Sequence, residues 1–184
     1  PYVSIASLSP ELKKKTLVVN GVSKTYAMTG WRLGYTCGDR KVISVMDNLQ
    51  SHSTSNPVSF SQKGGVKALR EGGEFSKKLR EVFKVRRDII FDMLSKIEGV
   101  SIVKPEGAFY AFPDISRLYG KSLGDKKISG SLQFCEALLE TEKVAAVPGI
   151  VFGDDKFIRL SYATSEEKIR KGIDRLASFI KKLK

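Results

Sequence analysis

Val19-Asn20-Gly21-Val22-Ser23-Lys24-Thr25-Tyr26-Ala27-Met28-Thr29-Gly30-Trp31-Arg32-Leu33-Gly34-Tyr35 is the stretch on which the reading of this 184-residue chain turns. An apolar, β-branched run, Leu17-Val18-Val19, leads into it and predicts a buried strand. Gly21 breaks that strand, and Ser23, Lys24 and Thr25 follow where a loop presents them. Gly30 and Gly34 bracket Arg32, and a second strand-like run, Arg32 to Thr36, carries the chain back inward. Two cations and small hydroxyl residues are thus offered together at strand ends. That combination suits an anionic ligand that also needs an amine.

Three chemistries could use it. A phosphate loop of the nucleotide-binding kind needs glycines immediately before and six residues before its lysine. Ser23 and Val18 stand there instead, so that reading fails. A serine–lysine acyl-transfer pair needs both side chains on one helical face, typically three residues apart. Ser23 and Lys24 are adjacent and point different ways, which disfavours it. The third reading is a Schiff-base lysine, with Arg32 and Ser23 holding a phosphate.

Composition sets the frame. The length suits one domain or one and a half small ones, and 41% hydrophobic residues allow a buried core. No segment approaches the ~18 apolar residues needed to span a bilayer, and no signal-peptide pattern opens the sequence. Pro1 is no natural start and suggests processing or a cut from a longer chain. Two cysteines, Cys37 and Cys135, are too few for a disulfide framework or a structural metal site; both are expected to be buried free thiols in a reducing, cytoplasmic setting. The net charge of +12 invites a nucleic-acid reading, but the lysines are scattered beside acids or at element ends. No aromatic residues interleave with them in a stacking pattern, so a solvated surface is expected.

Along the chain, Tyr2-Val3-Ser4-Ile5 alternates like a strand, and Ser9-Pro10-Glu11-Leu12 looks like a capped helical turn. Residues 40–50 predict a helix with Val42, Val45, Met46 and Leu49 on one face. Ser51 to Pro57 is a polar break holding the only histidine, His52, which has no partners at ligand spacing. Ser59 to Glu71 predicts a helix stopped by Gly72-Gly73, and Glu74 to Ile97 a long one, roughly 36 Å at 1.5 Å per residue. Beyond it, strands are expected at Val100–Val103, Ala108–Phe112, Val144–Val147 and Phe157–Tyr162, with a long loop over 113–130. A helix from Leu132 to Lys143 should bury Leu132, Cys135, Leu138 and Leu139. The closing helix should be capped at Ser165 and bury Ile169, Ile173, Leu176 and Ile180.

Gly21-Val22-Ser23-Lys24, then Ala27-Met28, then Gly30-Trp31-Arg32-Leu33-Gly34 resembles, without a departure, the pyridoxal-phosphate attachment segment of class I aminotransferases of fold type I. The order of downstream elements is similar to the aspartate aminotransferase branch over nearly all of the chain. The resemblance implies an α/β fold: the C-terminal part of the large cofactor-binding domain at 1–82, and a small α/β domain at 83–184, joined by the long helix. It implies pyridoxal 5'-phosphate as cofactor, Lys24 as the catalytic Schiff-base lysine, and Ser23 and Arg32 as phosphate ligands. It also implies amino-group transfer between an amino acid, aspartate first, and a 2-oxo acid, in a cytoplasmic homodimer without a metal.

Arg159 sits between Ile158 and Leu160. From pattern alone an arginine there lies on the solvent face of an edge strand or pairs with an anion inside, and the solvent reading is favoured. The resemblance reverses this, because Phe-Ile-Arg-Leu-Ser-Tyr-Ala is similar to the strand carrying the arginine that forks onto the substrate α-carboxylate. Gly107-Ala108-Phe109-Tyr110 and Val147-Pro148-Gly149-Ile150-Val151-Phe152-Gly153 are also family-like, near the active-site mouth. The family's amino-terminal half supplies an acid for the pyridine nitrogen and a residue stacked on the ring. Neither is identifiable in residues 1–184, so the carboxy-terminal portion of an enzyme, inactive by itself, is expected. Two rival readings are a non-catalytic regulatory or ligand-binding domain on the same fold, and a basic interaction module.

Overall fold

Caps and glycines punctuate the first part of the chain in the computed structural model, which describes residues 3–184. Ser9 caps helix α1 (Pro10–Lys15), its Oγ accepting the Leu12 N–H at 3.1 Å, with proline at the first helical turn where no donor is needed. Before it, Ile5–Ser7 is a single 3-10 turn rather than the expected strand; Tyr2 lies outside the described residues. Strand β1 (Val18–Gly21) pairs antiparallel with β2 (Gly34–Cys37), Val18 opposite Cys37 and Gly21 opposite Gly34. The expected burial of the first strand is not met: Leu17 is 44% and Val19 77% exposed. A two-stranded ribbon has a second face that its own partner strand cannot cover.

Asp39 caps α2 (Arg40–Ser53), which runs three residues past the predicted helix and takes the exposed His52 into its last turn. Val42, Val45, Met46 and Leu49 share a face as their spacing requires, yet all four are exposed. Helix α3 (Ser59–Glu71) ends at Gly72, and α4 (Gly73–Ser95) follows. The chain divides inside α4 into two compact units, one ending at Leu79 and the other beginning at Arg80.

In the second unit β3 (Tyr110–Ala111) precedes a hairpin of β4 (Ser122–Leu123) and β5 (Lys126–Lys127). Then come α5 (Ser131–Glu142), β6 (Val147–Pro148), β7 (Ile158–Ser161) and α6 (Glu166–Lys182). The antiparallel sheet has the order β3-β7-β6. Val100–Val103 is not the expected strand but contributes one bridge, Ser101 to Asp114. The run expected over Ala108–Phe112 shrinks to two residues, because Ala108 adopts φ +60° and Pro113 offers no donor. Residues 113–130 are more ordered than a loop: Ile115, Leu118 and Ile128 are buried there, and Ser122 exchanges two backbone hydrogen bonds with Lys184.

Helix α5 is rotated from the expected face. It buries Phe134, Cys135, Ala137 and Leu138, while Leu132 and Leu139 are 46% and 50% exposed. Phe134 has the most apolar area to remove from water and meets Phe179 of α6 edge-on, with ring centroids 5.1 Å apart. Helix α6 follows its pattern: Ser165 accepts the Lys168 N–H at 3.3 Å, and Ile169, Ile173, Leu176 and Ile180 are buried, joined by Phe179.

The two cysteines differ. Cys37 is exposed, against expectation, whereas Cys135 is buried and burial pushes its thiol up to about 12 from 9.0. Iodoacetamide at pH 8 should therefore alkylate Cys37 and leave Cys135 intact until the chain is unfolded. The raised thiol also makes stability pH-dependent. Below about pH 9 both folded and unfolded states hold the proton and the contribution is fully present. Between there and about 12 only the unfolded state releases it, so stability falls as pH rises. A Cys135→Ala chain whose urea midpoint declines just as steeply over that window would refute this.

Candidate functional site

The connection between β1 and β2, residues 22–33, is a loop tied at its base. The Val22 N–H donates to the Leu33 carbonyl at 3.3 Å, and Val22 itself is fully buried. Tyr26 N–H reaches the Val22 carbonyl and Ala27 N–H the Lys24 carbonyl, each at 3.2 Å, so the backbone curls through Ser23, Lys24 and Thr25. Ser23 is half-buried and Lys24 exposed. Gly34 lets the strands close tightly, since a Cβ there would lie 3.1 Å from the Asn20 carbonyl oxygen.

Arg32 follows a 3-10 turn (Thr29–Trp31) and adopts a left-handed backbone, φ +50° and ψ +48°. A non-glycine residue in that region is held there by its surroundings, at a cost on the order of 1 kcal/mol. Its Nη1 donates to the Thr29 carbonyl at 2.8 Å. Arg32 lines a cavity of about 630 Å³ together with Gly30, Trp31, Asn56 and Ser61. Ser61 is only 3% exposed. Lys24 and Ser23 do not line that cavity; they occupy the other end of the same loop. Asn56 and Ser61 were not among the residues singled out. Asn56 lies in the polar break, and no sequence pattern marks Ser61 within α3.

Two helical glycines seat the loop. A Cβ on Gly64 would lie 2.6 Å from Trp31 Cζ3, and one on Gly65 would lie 2.3 Å from Leu33 Cδ2. Inside a helix, Gly→Ala ordinarily gains roughly 0.5–1 kcal/mol. For Gly172 in α6, where an added Cβ meets nothing within 4 Å, that gain is expected in full. For Gly64 the sign should reverse, because a rigid indole must move, at a cost of about 1–3 kcal/mol. Urea melts of the two alanine variants check the contrast, and a stabilised Gly64→Ala chain would contradict it.

Arg159 belongs to the second unit, at the centre of β7, where it is half-buried. Its Cζ lies 4.4 Å from the Tyr110 ring centroid and 4.6 Å from that of Phe152. Among the described residues no carboxylate forms an ion pair with it. Tyr110 and Phe152 belong to the family-like segments Gly107–Tyr110 and Val147–Gly153, and nothing in the sequence pattern marks either as a neighbour of Arg159. Another cavity of the second unit, about 900 Å³ and lined by Met93, Ile97, Arg117, Leu118, Ile173 and Lys181 among others, contains none of Ser23, Lys24, Arg32 and Arg159. Among the described residues no group of three or more His, Cys, Asp or Glu could hold a metal ion, and no helix is long and apolar enough to cross a membrane.

Comparison with known proteins adds the rest. The profile of the family described as Aminotransferase class I and II matches residues 1–176. Aspartate aminotransferase of Bacillus subtilis (strain 168) is 47% identical over 181 residues, covering 98% of this chain and 45% of that protein. The probable aspartate/prephenate aminotransferase of Aquifex aeolicus is 45% identical over 184 residues, covering 99% of this chain and 45% of that protein. The crystal structure of the aspartate aminotransferase from Rhizobium meliloti matches with a TM-score of 0.93 and 44% identity, over 100% of this chain and 46% of that one. The chain thus spans a little under half the length of these relatives, and it corresponds to their carboxy-terminal portion.

Proposed function

The chain belongs to the class I and II aminotransferases, and from that premise we propose that it carries part of the machinery for moving an amino group between an amino acid and a 2-oxo acid with pyridoxal 5'-phosphate. Aspartate is the proposed donor, in keeping with its relatives' names, and a cytoplasmic homodimer the proposed assembly. Residues 1–82 are the proposed cofactor-binding part and residues 83–184 the small domain. The observation that carries this reading is the β1–β2 connection, which offers one amine, the hydroxyl of Ser23 beside it and one guanidinium from a single tied loop.

That donor set fits the cofactor. An aldehyde asks for an amine, and a dianionic phosphate asks for a hydroxyl and a cation. Lys24 Nζ would hold the cofactor, and Ser23 Oγ and the Arg32 guanidinium would bind its phosphate. When bound, pyridoxal phosphate supplies an electron sink for bonds broken at the substrate α-carbon. Once displaced by the incoming substrate amine, Lys24 Nζ would carry the α-proton. Arg159 would take the substrate α-carboxylate in a bidentate fork, which orients the Cα–H bond for that transfer.

The test is direct. The chain is incubated with pyridoxal phosphate and reduced with borohydride, and the modified lysine is mapped by mass spectrometry. Label concentrated on Lys24 supports the reading. Label spread over many of the chain's lysines would show that the loop does not select the cofactor.

A further inference from the structure

We propose that Tyr110 and Phe152 are positioning residues that hold the Arg159 guanidinium by its faces and leave its N–H edge for a substrate carboxylate. This rests on the reading of Arg159 as the carboxylate-binding group. The sheet register builds the arrangement. Tyr110 pairs with Ser161, and Ser161 and Arg159 lie two residues apart on one face of β7, so Tyr110 sits diagonally against Arg159. The opposite face carries Ile158 and Leu160, which are 0% and 6% exposed in the core.

Phe152 arrives by another route. It ends the 3-10 turn Gly149–Phe152 that leaves β6, whose Val147 pairs with Arg159. That turn needs Gly149, where a Cβ would lie 2.4 Å from both the Asp154 and Phe157 carbonyl oxygens. Phe152 is in turn met edge-on by Phe112 at 6.0 Å, and Phe112 stacks on Phe157 at 4.8 Å with planes 7° apart. Arg159 therefore lies on an aromatic bed in which Phe112 braces Phe152, and Phe109 meets Tyr110 with ring centroids 4.4 Å apart.

Guanidinium chemistry gives the bed its purpose. A guanidinium stacked on a ring makes that contact with its face, whereas its hydrogen bonds to a carboxylate lie in its plane. Two rings can thus fix the group without consuming any of its donors. A carboxylate placed beside Arg159 would fix it too, but would occupy the fork. Lysine, a point charge without a plane, could not be held in this way.

The proposal predicts that Arg159 Nε–Hε in the native chain has a proton shift displaced by ring currents, seen by 1H–15N NMR. Titration with succinate, an unreactive carboxylate, should perturb that signal. Phe152→Leu and Tyr110→Leu keep apolar volume but lose the ring face, and each should weaken succinate binding roughly three- to thirtyfold. Phe152→Tyr and Tyr110→Phe keep the ring and should restore binding to within about twofold of native. Melting curves on the same samples separate loss of fold from loss of the clamp. Leucine variants that are folded and bind succinate natively would overturn the proposal, as would ring-retaining variants that lose binding. Arg159→Ala distinguishes the two layers of the argument. If it abolishes binding while the leucine variants do not, only the clamp falls; if it binds succinate unchanged, the reading of Arg159 falls and the clamp with it.

Discussion

Replacing Lys24 by alanine is expected to abolish borohydride-dependent capture of pyridoxal phosphate and, wherever turnover can be measured, to slow transamination by at least roughly 10²–10⁴-fold, the usual worth of a positioned proton-transfer group. On the proposed reading one nitrogen would have two tasks, holding the cofactor and moving the α-proton, and no second side-chain amine stands in the tied segment from Val22 to Leu33. Lys24→Arg refines the test. It keeps the positive charge beside Ser23 but removes a nucleophilic amine, so capture should be lost as completely as with alanine. Arg32→Ala should act differently, weakening retention of the phosphate while leaving Lys24 able to react at high cofactor concentration. Undiminished label on another lysine in Lys24→Ala, with turnover preserved, would remove Lys24 from the mechanism.

Phe134→Ala is expected to cost the second unit about 3–5 kcal/mol, close to the whole stability of many domains of this size. Phe134 is fully buried, and its ring meets Phe179 edge-on between α5 and α6. Truncation leaves a cavity whose walls are anchored on separate elements and cannot easily collapse. Urea unfolding followed by circular dichroism would show the loss. A change of 1 kcal/mol or less, on the order of a surface substitution, would mean that α5 can roll its exposed Leu132 or Leu139 inward to fill the space.

That possibility touches what was and was not legible beforehand. Spacing alone favoured Leu132, Cys135, Leu138 and Leu139 as the inner face of α5, and two of the four are exposed. Both faces of this helix carry apolar residues, so periodicity leaves the rotation undecided. Helix α6 posed no such choice, because its polar and apolar residues separate cleanly and Ser165 with Glu166 and Glu167 marks its start. Val100–Val103 has strand composition but finds only one bridge, and strand propensity without a partner does not make a strand. Conversely the stretch over 113–130 looked like loop, and its order comes from Ile115, Leu118 and Ile128 reaching the core.

The sequence by itself determined which residue types stand in the β1–β2 connection, the presence of each α-helix among the described residues, α1 as a capped turn, and the family to which the chain belongs. These rest on short-range physics: caps, glycine breaks and apolar repeats act within a turn or two of helix, and a motif's residues sit side by side in the chain. The tertiary structure alone decided which faces are buried, which cysteine is protected, and what surrounds Arg159. In Arg159 the difference is plainest. A guanidinium between isoleucine and leucine neighbours could face solvent or an anion, and only strand register brings Tyr110 onto it from far along the chain and only the Gly149 turn folds the nearby Phe152 back over it.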